Sequence, residues 1–219
     1  MAREEGGDPL PAVKARLPRL LLLVGLALAL AAGALVWRGL QNPPPRPLLA
    51  AVDLQPPNPL PVFSLHKPEG GQFTNADLAG RWSIVFFGYT YCPDICPTAL
   101  TTLVQMRNEL VRQGATPPQV VFISVDPKRD QTEVLRQYAS SFDPAFLSVS
   151  GSDAALASLV KQLGVYYFRH DKDGDPHYVV DHSAGLYLID PEGRWRAFFP
   201  PPQEGRKLAA DFIALTSSR

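Results

Sequence analysis

The chain has 219 residues, of which 46% are hydrophobic, and its 21 basic residues balance its 21 acidic residues. This length suits one compact domain with a flanking segment and is short for two full domains. Formal neutrality without a long run of Lys or Arg argues against a nucleic-acid partner, because phosphates require a basic surface. We therefore expect one folded core and no nucleic acid.

An uncharged apolar run near the N-terminus extends from Leu20 to Trp37. It is long enough to cross a bilayer as a slightly short helix, which predicts a membrane anchor at 20–37. More basic residues precede this run than follow it closely, which predicts a cytoplasmic segment at 1–19 and places the rest of the chain on the other side. The alternative is a cleaved signal peptide with a processing site at Ala32-Gly33-Ala34, although the run is longer than a usual signal sequence contains.

Eight prolines lie between residues 38 and 61. Such a composition favours extended polyproline conformation and removes many backbone donors. It predicts a stiff tether over 38–61, followed by a folded domain over 62–219.

From residue 62 onward, short strand-like runs alternate with helix-like runs. Asp130 and Glu133 have the spacing of a capping box, and Gly114 has the position of a helix stop. The predicted strands are 62–66, 72–74, 82–89, 120–125, 146–149, 166–168, 178–180, 186–189 and 195–199, and the predicted helices are about 97–114, 130–142, 153–163 and 203–215. This order predicts an α/β fold, a thioredoxin-like sandwich with a central mixed sheet and flanking helices.

Cys92 and Cys96 are the only cysteines of the chain, and they lie one helical turn apart at a strand-to-helix junction. Unpaired N–H groups and the helix dipole favour negative charge at such a position, which lowers a thiol pKa. The pair can bind a soft metal or form a disulfide. A structural disulfide is a real alternative, because the predicted topology places the domain in an oxidising compartment.

Copper(I) prefers soft thiolates and accepts imidazole, so two cysteines and one histidine form a suitable ligand set. We predict His182 as the third ligand, because it leads into the strand 186–189, expected near the sheet centre. The histidines His170 and His177 flank an Asp173-Gly174 turn and are interpreted as exposed hairpin residues, with an accessory metal site as the alternative. His66 is interpreted as a surface residue.

Two acidic features near these residues have ordinary interpretations. Asp94 lies between the cysteines, where it either tunes the charge of the site or serves as a polar residue at a helix start. The acidic stretch 171–175 has its glycine misplaced for a calcium loop and is interpreted as a polar turn.

Three motifs resemble the Sco/SenC family of thioredoxin-fold copper proteins, which help to assemble the copper centre of cytochrome c oxidase. They are 86–97 (FFGYTYCPDICP), 124–130 (SVDPKRD), and 181–183 (DHS) leading into 187–190 (YLID). They occur in the family's order, and the resemblance extends from about Phe63 to the C-terminus. It implies that Cys92, Cys96 and His182 bind copper. Asp126, Pro127 and Asp130 are carried over only as turn and cap residues.

The resemblance also implies a location and partners. We expect a single-pass protein of the bacterial inner membrane whose domain faces the periplasm, the counterpart of the intermembrane space. It would receive a copper ion, as Cu(I) with Cu(II) left open, from a copper donor protein and deliver it to the copper-bearing subunit of cytochrome c oxidase. This function is that of a chaperone and not of an enzyme.

The leading alternative is a thiol-disulfide oxidoreductase acting on the oxidase subunit or another secreted protein. The C-x-x-x-C spacing, the absence of proline at 180–183 and the lack of a role for His182 argue against it. A peroxidase is a weaker alternative, since the chain has no separate resolving cysteine.

Overall fold

A computed structural model describes residues 17–41, 47–171 and 174–217 of the chain. The chain divides into two compact units, 1–45 and 46–219. The described part of the first unit is helix α1, Leu17–Gln41, which contains the predicted segment 20–37. Within it, Leu21–Arg38 is apolar and long enough to cross a membrane, judged by length and composition. Residues 1–16 of the predicted cytoplasmic segment 1–19 lie outside the described residues.

The second unit contains an eight-stranded mixed sheet with helices packed on it. Its strands are β1 (Val52–Pro59), β2 (Ser64–His66), β3 (Gln72–Thr74), β4 (Ser83–Gly88), β5 (Gln119–Ser124), β6 (Leu147–Ser150), β9 (Leu186–Ile189) and β10 (Arg194–Phe199), in the order β1-β10-β9-β4-β5-β6-β2-β3. A separate two-stranded sheet contains β7 (Tyr167–Arg169) and β8 (Val180–His182). The helices are α2 (Asn75–Leu78), α3 (Ile95–Arg112), α4 (Thr132–Ser140), α5 (Asp153–Leu163) and α6 (Gly205–Ser217). This arrangement confirms the predicted thioredoxin-like α/β sandwich.

Strand β4 lies at the centre of the sheet, where all six of its residues are buried. It pairs in parallel with β5 and antiparallel with β9. The continuous apolar run is explained by this position, because a strand covered on both faces has no polar side. Its carboxyl end leads directly into the cysteine loop, residues 89–94, and then into α3.

Helix α3 carries its buried residues at helical spacing and packs against α6. Pro97 falls in its first turn, where a missing N–H breaks no helical hydrogen bond. The helix ends before Gly114, which adopts φ +71° and confirms the predicted stop. The buried stripe includes Cys96, so the second cysteine is anchored by the same packing that anchors the helix.

The segment 38–61 differs from the predicted tether at its C-terminal end. Strand β1 lies within this segment and pairs antiparallel with β10 at the sheet edge, with an irregular register between Asp53 and Asn58. The backbone N–H groups of Leu49, Ala50 and Ala51 each donate to the buried carboxylate of Asp211, at 2.7 Å. The sheet therefore begins before residue 62. The prolines of β1 are tolerated because an edge strand forms hydrogen bonds through only some of its N–H groups.

The predicted capping box at Asp130 is wrong. Helix α4 begins at Thr132, and its N-cap residue Gln131 makes no capping side-chain hydrogen bond. Asp130 is instead 3% exposed and accepts hydrogen bonds from Thr90 and Ser124. Its carboxylate joins Thr90, 40 residues away, to Ser124 at the end of β5, so it does not cap the helix.

Candidate metal centre

The cysteine loop turns tightly between β4 and α3. The backbone N–H of Cys92 donates to the carbonyl of Tyr89 at 3.2 Å, and the N–H of Cys96 donates to the Cys92 sulfur at 3.3 Å. Cys92 is 9% exposed and Cys96 is fully buried. Both cysteines are free thiols, so the structure represents the reduced pair.

His182 reaches these sulfurs from β8, where it pairs with Tyr167 across the two-stranded sheet. Its ring lies edge-on to Phe86 and Tyr89, with ring centroids 6.1 and 5.8 Å away. Its Nδ1 lies 3.1 Å from the carbonyl oxygen of Ser183. A proton on Nδ1 that is donated to this carbonyl leaves the Nε2 lone pair directed at the cysteines.

The three predicted residues converge. Nε2 of His182 lies 3.3 Å from Sγ of Cys96, and one ligand atom from each of Cys92, Cys96 and His182 lies within 4.8 Å of the others. Within the described ranges this is the only such group of three or more His, Cys, Asp or Glu side chains. The structure thus brings together the residues that the sequence selected, and their role as ligands is taken up below.

The two thiols have opposite acidities. Hydrogen bonds from the Cys96 thiol and from the backbone N–H groups of Cys96 and Asp94 lower the pKa of Cys92 to about 3 against the effect of burial. Burial raises the pKa of Cys96 far above its usual range, and the hydrogen bond to Cys92 acts in the same direction. The reduced pair therefore holds one thiolate, on Cys92, and one proton, on Cys96.

Gly88 provides the space for the second sulfur. A Cβ at this position would lie 2.5 Å from Sγ of Cys96 and 2.8 Å from Cε2 of Phe122. Any side chain here would displace the buried sulfur or the aromatic ring. The close approach of backbone and sulfur explains a glycine at the end of a buried strand.

Asp130 anchors the cysteine loop to β5. One of its oxygens accepts from the Thr90 hydroxyl at 2.6 Å, and the other accepts from the Thr90 N–H at 3.0 Å and from the Ser124 hydroxyl at 2.5 Å. Burial raises the pKa of this carboxyl, while these hydrogen bonds oppose the increase. The loop that carries Cys92 is thus tied to the neighbouring strand two residues before the first sulfur.

The site opens to the surface through a pocket of about 310 Å³ lined by Cys92 and His182 among others. The exposed apolar side chains of Ile95 and Val179 lie on its rim, together with the exposed carboxylates of Asp94 and Asp181. A group from another molecule can therefore approach Cys92 from one side, while Cys96 stays covered.

The remaining histidines lie away from this cluster. His170 Nε2 is 2.8 Å from the Asp181 carboxylate, and the His177 N–H donates to Asp175 at 2.7 Å. His66 is exposed and lies 3.1 Å from the Gln72 amide. The exposed positions of the three histidines agree with their interpretation as surface residues. Lys172 and Asp173, in the middle of the predicted polar turn 171–175, lie outside the described residues.

Asp94 directly precedes α3 and makes no capping hydrogen bond with its side chain. Its carboxylate lies 3.4 Å from the Thr98 hydroxyl, and its backbone N–H is directed at the Cys92 sulfur. The backbone of this residue, more than its charge, is what touches the site.

Comparison with known proteins identifies the family. A family model described as SCO1/SenC matches residues 53–217. The human "Protein SCO2 homolog, mitochondrial" is 39% identical over 153 residues, covering 69% of this chain and 56% of that protein. A SCO2-like protein of Rickettsia prowazekii is 39% identical over 138 residues, covering 63% of this chain and 67% of that protein. The chain thus spans little more than half the length of the mammalian relatives.

Solved structures agree with this assignment. The crystal structure of Arabidopsis thaliana ScoI with copper bound superposes with a TM-score of 0.68 at 31% identity, covering 73% of this chain and 98% of that chain. The crystal structure of yeast Sco1 with copper bound gives a TM-score of 0.68 at 33% identity, covering 74% and 91%. The structure of Bradyrhizobium japonicum ScoI with copper bound gives 0.62 at 35%, covering 74% and 99%. With more than half of its residues matched by the family model, the chain belongs to the SCO1/SenC family.

Proposed function

We propose that this protein is a membrane-anchored copper carrier that binds copper(I) through Cys92, Cys96 and His182 and delivers it to cytochrome c oxidase during assembly. The observation that carries the proposal is the convergence of two sulfurs and one imidazole nitrogen within 4.8 Å. Soft thiolates with one imidazole form the ligand set that copper(I) prefers over harder cations. The copper-bound relatives described above support the same choice of metal.

The ionisation of the pair suits loading and release. Cys92 presents a thiolate at the pocket, so an incoming copper(I) ion meets an anionic ligand without prior loss of a proton. Binding to Cys96 then displaces the proton that this sulfur holds in the reduced protein. When a partner's ligands remove the metal, Cys96 takes up a proton again and the copper keeps its oxidation state.

A three-coordinate ion leaves room for exchange. Partner thiolates or imidazoles can attack the metal from the pocket side and form an intermediate held by both proteins before the Cys92 bond breaks. Such a transfer requires no redox step. The partners proposed from this chemistry are a copper donor protein and the copper-bearing subunit of the oxidase.

Helix α1 supports a location at the membrane. Its apolar segment Leu21–Arg38 supports a single membrane anchor, and the basic residues before it support a cytoplasmic N-terminus. We place the domain in the periplasm, on the face of the bacterial inner membrane where oxidase copper centres would be loaded.

A second function, thiol-disulfide exchange, is favoured by the contrast between the two thiols. The Cys92 thiolate would attack a substrate disulfide and release one substrate thiolate, and Cys96 would then resolve the mixed disulfide. The products would be a reduced substrate and a Cys92–Cys96 disulfide, which needs a separate reductant for another cycle. Thiol exchange requires only the two sulfurs and does not need a third side chain with a metal-ligand atom, so we rank this function second.

Two assays on the same protein samples distinguish copper delivery from thiol-disulfide exchange. The fully reduced protein is titrated with copper(I) against a chelator under anaerobic conditions, and the same sample is assayed for reduction of oxidised glutathione. His182→Ala should weaken copper affinity by about 100-fold, since even supporting residues of metal ligands contribute 10- to 100-fold. His170→Ala is the matched control and should leave affinity unchanged. Unaltered affinity in His182→Ala together with brisk disulfide reduction would assign the protein to thiol exchange.

A further inference from the structure

Arg129 lies where the cysteine loop and the histidine-bearing segment meet. Its guanidinium carbon is 5.5 Å from the ring centre of Tyr89 and 5.0 Å from that of Tyr91, both in the cysteine loop. It is 3.5 Å from the ring centre of Tyr178, four residues before His182. A distance of 3.5 Å places the planar cation in direct contact with that ring, where stacking and cation–π attraction act together.

Hydrogen bonds fix the guanidinium in this position. Arg129 Nε donates to the Asp126 carboxylate at 2.6 Å, and Nη1 donates to the carbonyl of Pro176 at 3.2 Å. The Tyr178 hydroxyl donates to the other oxygen of Asp126 at 2.5 Å. Asp126 is fully buried, so one carboxylate at the end of β5 holds both the arginine and the tyrosine stacked on it.

His182 belongs to the smaller of the two sheets. In the described part of the chain, β8 pairs with β7 and with no strand of the eight-stranded sheet. The position of this small sheet over the cysteines therefore depends on side chains. Arg129 binds both sides of the gap, and Arg169 adds a hydrogen bond from β7 to the carbonyl of Val125 at 2.7 Å.

We propose that Arg129 is a positioning residue that clamps the segment 176–182 onto the cysteine loop and thereby sets the contribution of His182 to copper binding. The clamp itself follows from the contacts above, whereas its effect on copper rests on the proposed function. Among the described residues, no hydrogen bond or ion pair joins Arg129 to either sulfur or to the imidazole, so it acts through the placement of His182. Its removal should leave the two thiols able to bind copper(I) while the imidazole becomes an intermittent ligand.

Hydrogen–deuterium exchange of the copper-free full chain in detergent tests the clamp without any metal. Arg129→Met keeps most of the side-chain volume and removes the planar cation. Amides of 177–182 should exchange at least about tenfold faster in this variant, whereas those of β4 and β5 should not change. Arg107→Met, which removes an ion pair with Asp143, is the matched control and should leave 177–182 unchanged. Equal exchange of this segment in Arg129→Met and wild type would overturn the proposal.

A double-mutant cycle with His182→Ala tests the effect on copper. Arg129→Met should weaken copper(I) affinity about tenfold when His182 is present and should have no further effect in His182→Ala. Additive losses would show that Arg129 acts on the fold in general and not through His182. If the wild type binds no copper(I), the proposed function fails, while the exchange experiment still decides the clamp. Arg129→Lys, which keeps the charge without the planar fork, replaces Arg129→Met in both experiments if the latter does not fold.

Discussion

Nε2 of His182 lies 3.3 Å from Sγ of Cys96, although 86 residues separate them in the chain. Cys92 lies in the cysteine loop and Cys96 in the first turn of α3, whereas the imidazole comes from β8 of the two-stranded sheet. The complete set of three therefore exists only in the folded domain. Binding of a metal to all three would couple its affinity to folding.

Copper loading should release about one proton per metal ion near pH 8. Cys92 is already a thiolate because its pKa is lowered to about 3, and the raised pKa of Cys96 keeps one proton on the pair. Affinity should therefore increase about tenfold for each unit of pH increase above neutrality. Titration with an acetonitrile complex of copper(I) in weakly buffered solution, with a pH indicator, measures this release. Cys96→Ser should release almost none, and a count of two in the wild type would show that both thiols begin protonated.

Gly88→Ala should weaken copper binding by displacing Cys96. The new methyl group would lie 2.5 Å from the buried sulfur, and overpacking of this kind typically costs about 1–3 kcal/mol of stability. Affinity for copper(I) should decrease at least about tenfold, because ligand geometry is altered. Urea unfolding and chelator competition measure the two effects.

Gly151→Ala serves as the control for this prediction. Its Cβ would lie 2.7 Å from Cδ2 of Leu65, so it also overpacks the core, but its close contacts include neither cysteine. It should lower stability without changing copper affinity. A similar loss of affinity in both variants would mean that overpacking anywhere in the domain disturbs the site.

Asp130→Asn should change the pH dependence of stability. Burial raises the pKa of Asp130 in the folded protein, so the folded state binds this proton more tightly than the unfolded chain. The contribution of this bound proton to the free energy of unfolding is greatest below the ordinary Asp pKa of about 3.9 and is lost as pH rises through the raised pKa of the folded state. Wild type should therefore lose stability relative to Asp130→Asn as pH rises above the ordinary Asp pKa, which urea unfolding at a series of pH values measures. Parallel profiles for the two proteins would exclude this ionisation.

A fragment that starts at residue 62 should be less stable than one that starts at residue 46. The shorter fragment lacks β1 and leaves Asp211 without the three backbone donors that it binds. The loss of these three hydrogen bonds to a carboxylate and of the apolar contacts of Leu48 and Leu60 together should cost at least about 3 kcal/mol. Urea unfolding measures the stability of the two fragments. Asp211→Ala in the longer fragment should lower the free energy of unfolding by about 1–3 kcal/mol, which is part of the same loss. Equal midpoints would place the domain boundary at residue 62.

Much of the sheet could be predicted from sequence because its centre is made of continuous apolar runs between polar turns. Strand β4 and helix α5 lie where the patterns indicated, and α5 has the predicted bounds, 153–163. The convergence of the three side chains could be predicted as well, since Cys92 and Cys96 lie only four residues apart in the chain. His182 was selected because it leads into strand 186–189, and the α/β pattern predicts that this strand lies near the centre of the sheet.

The supporting contacts could not be predicted, because they join residues distant in sequence. Asp130 and Glu133 match a capping pattern, yet the donors that Asp130 satisfies lie 40 residues away on Thr90. Gly88 carried a weak signal, since glycine at the end of a buried strand often marks a close approach of backbone to another group. Arg129 carried none, because nothing in the motif around it specifies that its partners are tyrosines of two other segments.

The proline content of β1 has a consequence for the assembled sheet. Pro56, Pro57 and Pro59 cannot donate hydrogen bonds, so the free side of this outermost strand is a poor template for another chain. Two copies of this domain would therefore resist pairing through the β1 edge of the sheet.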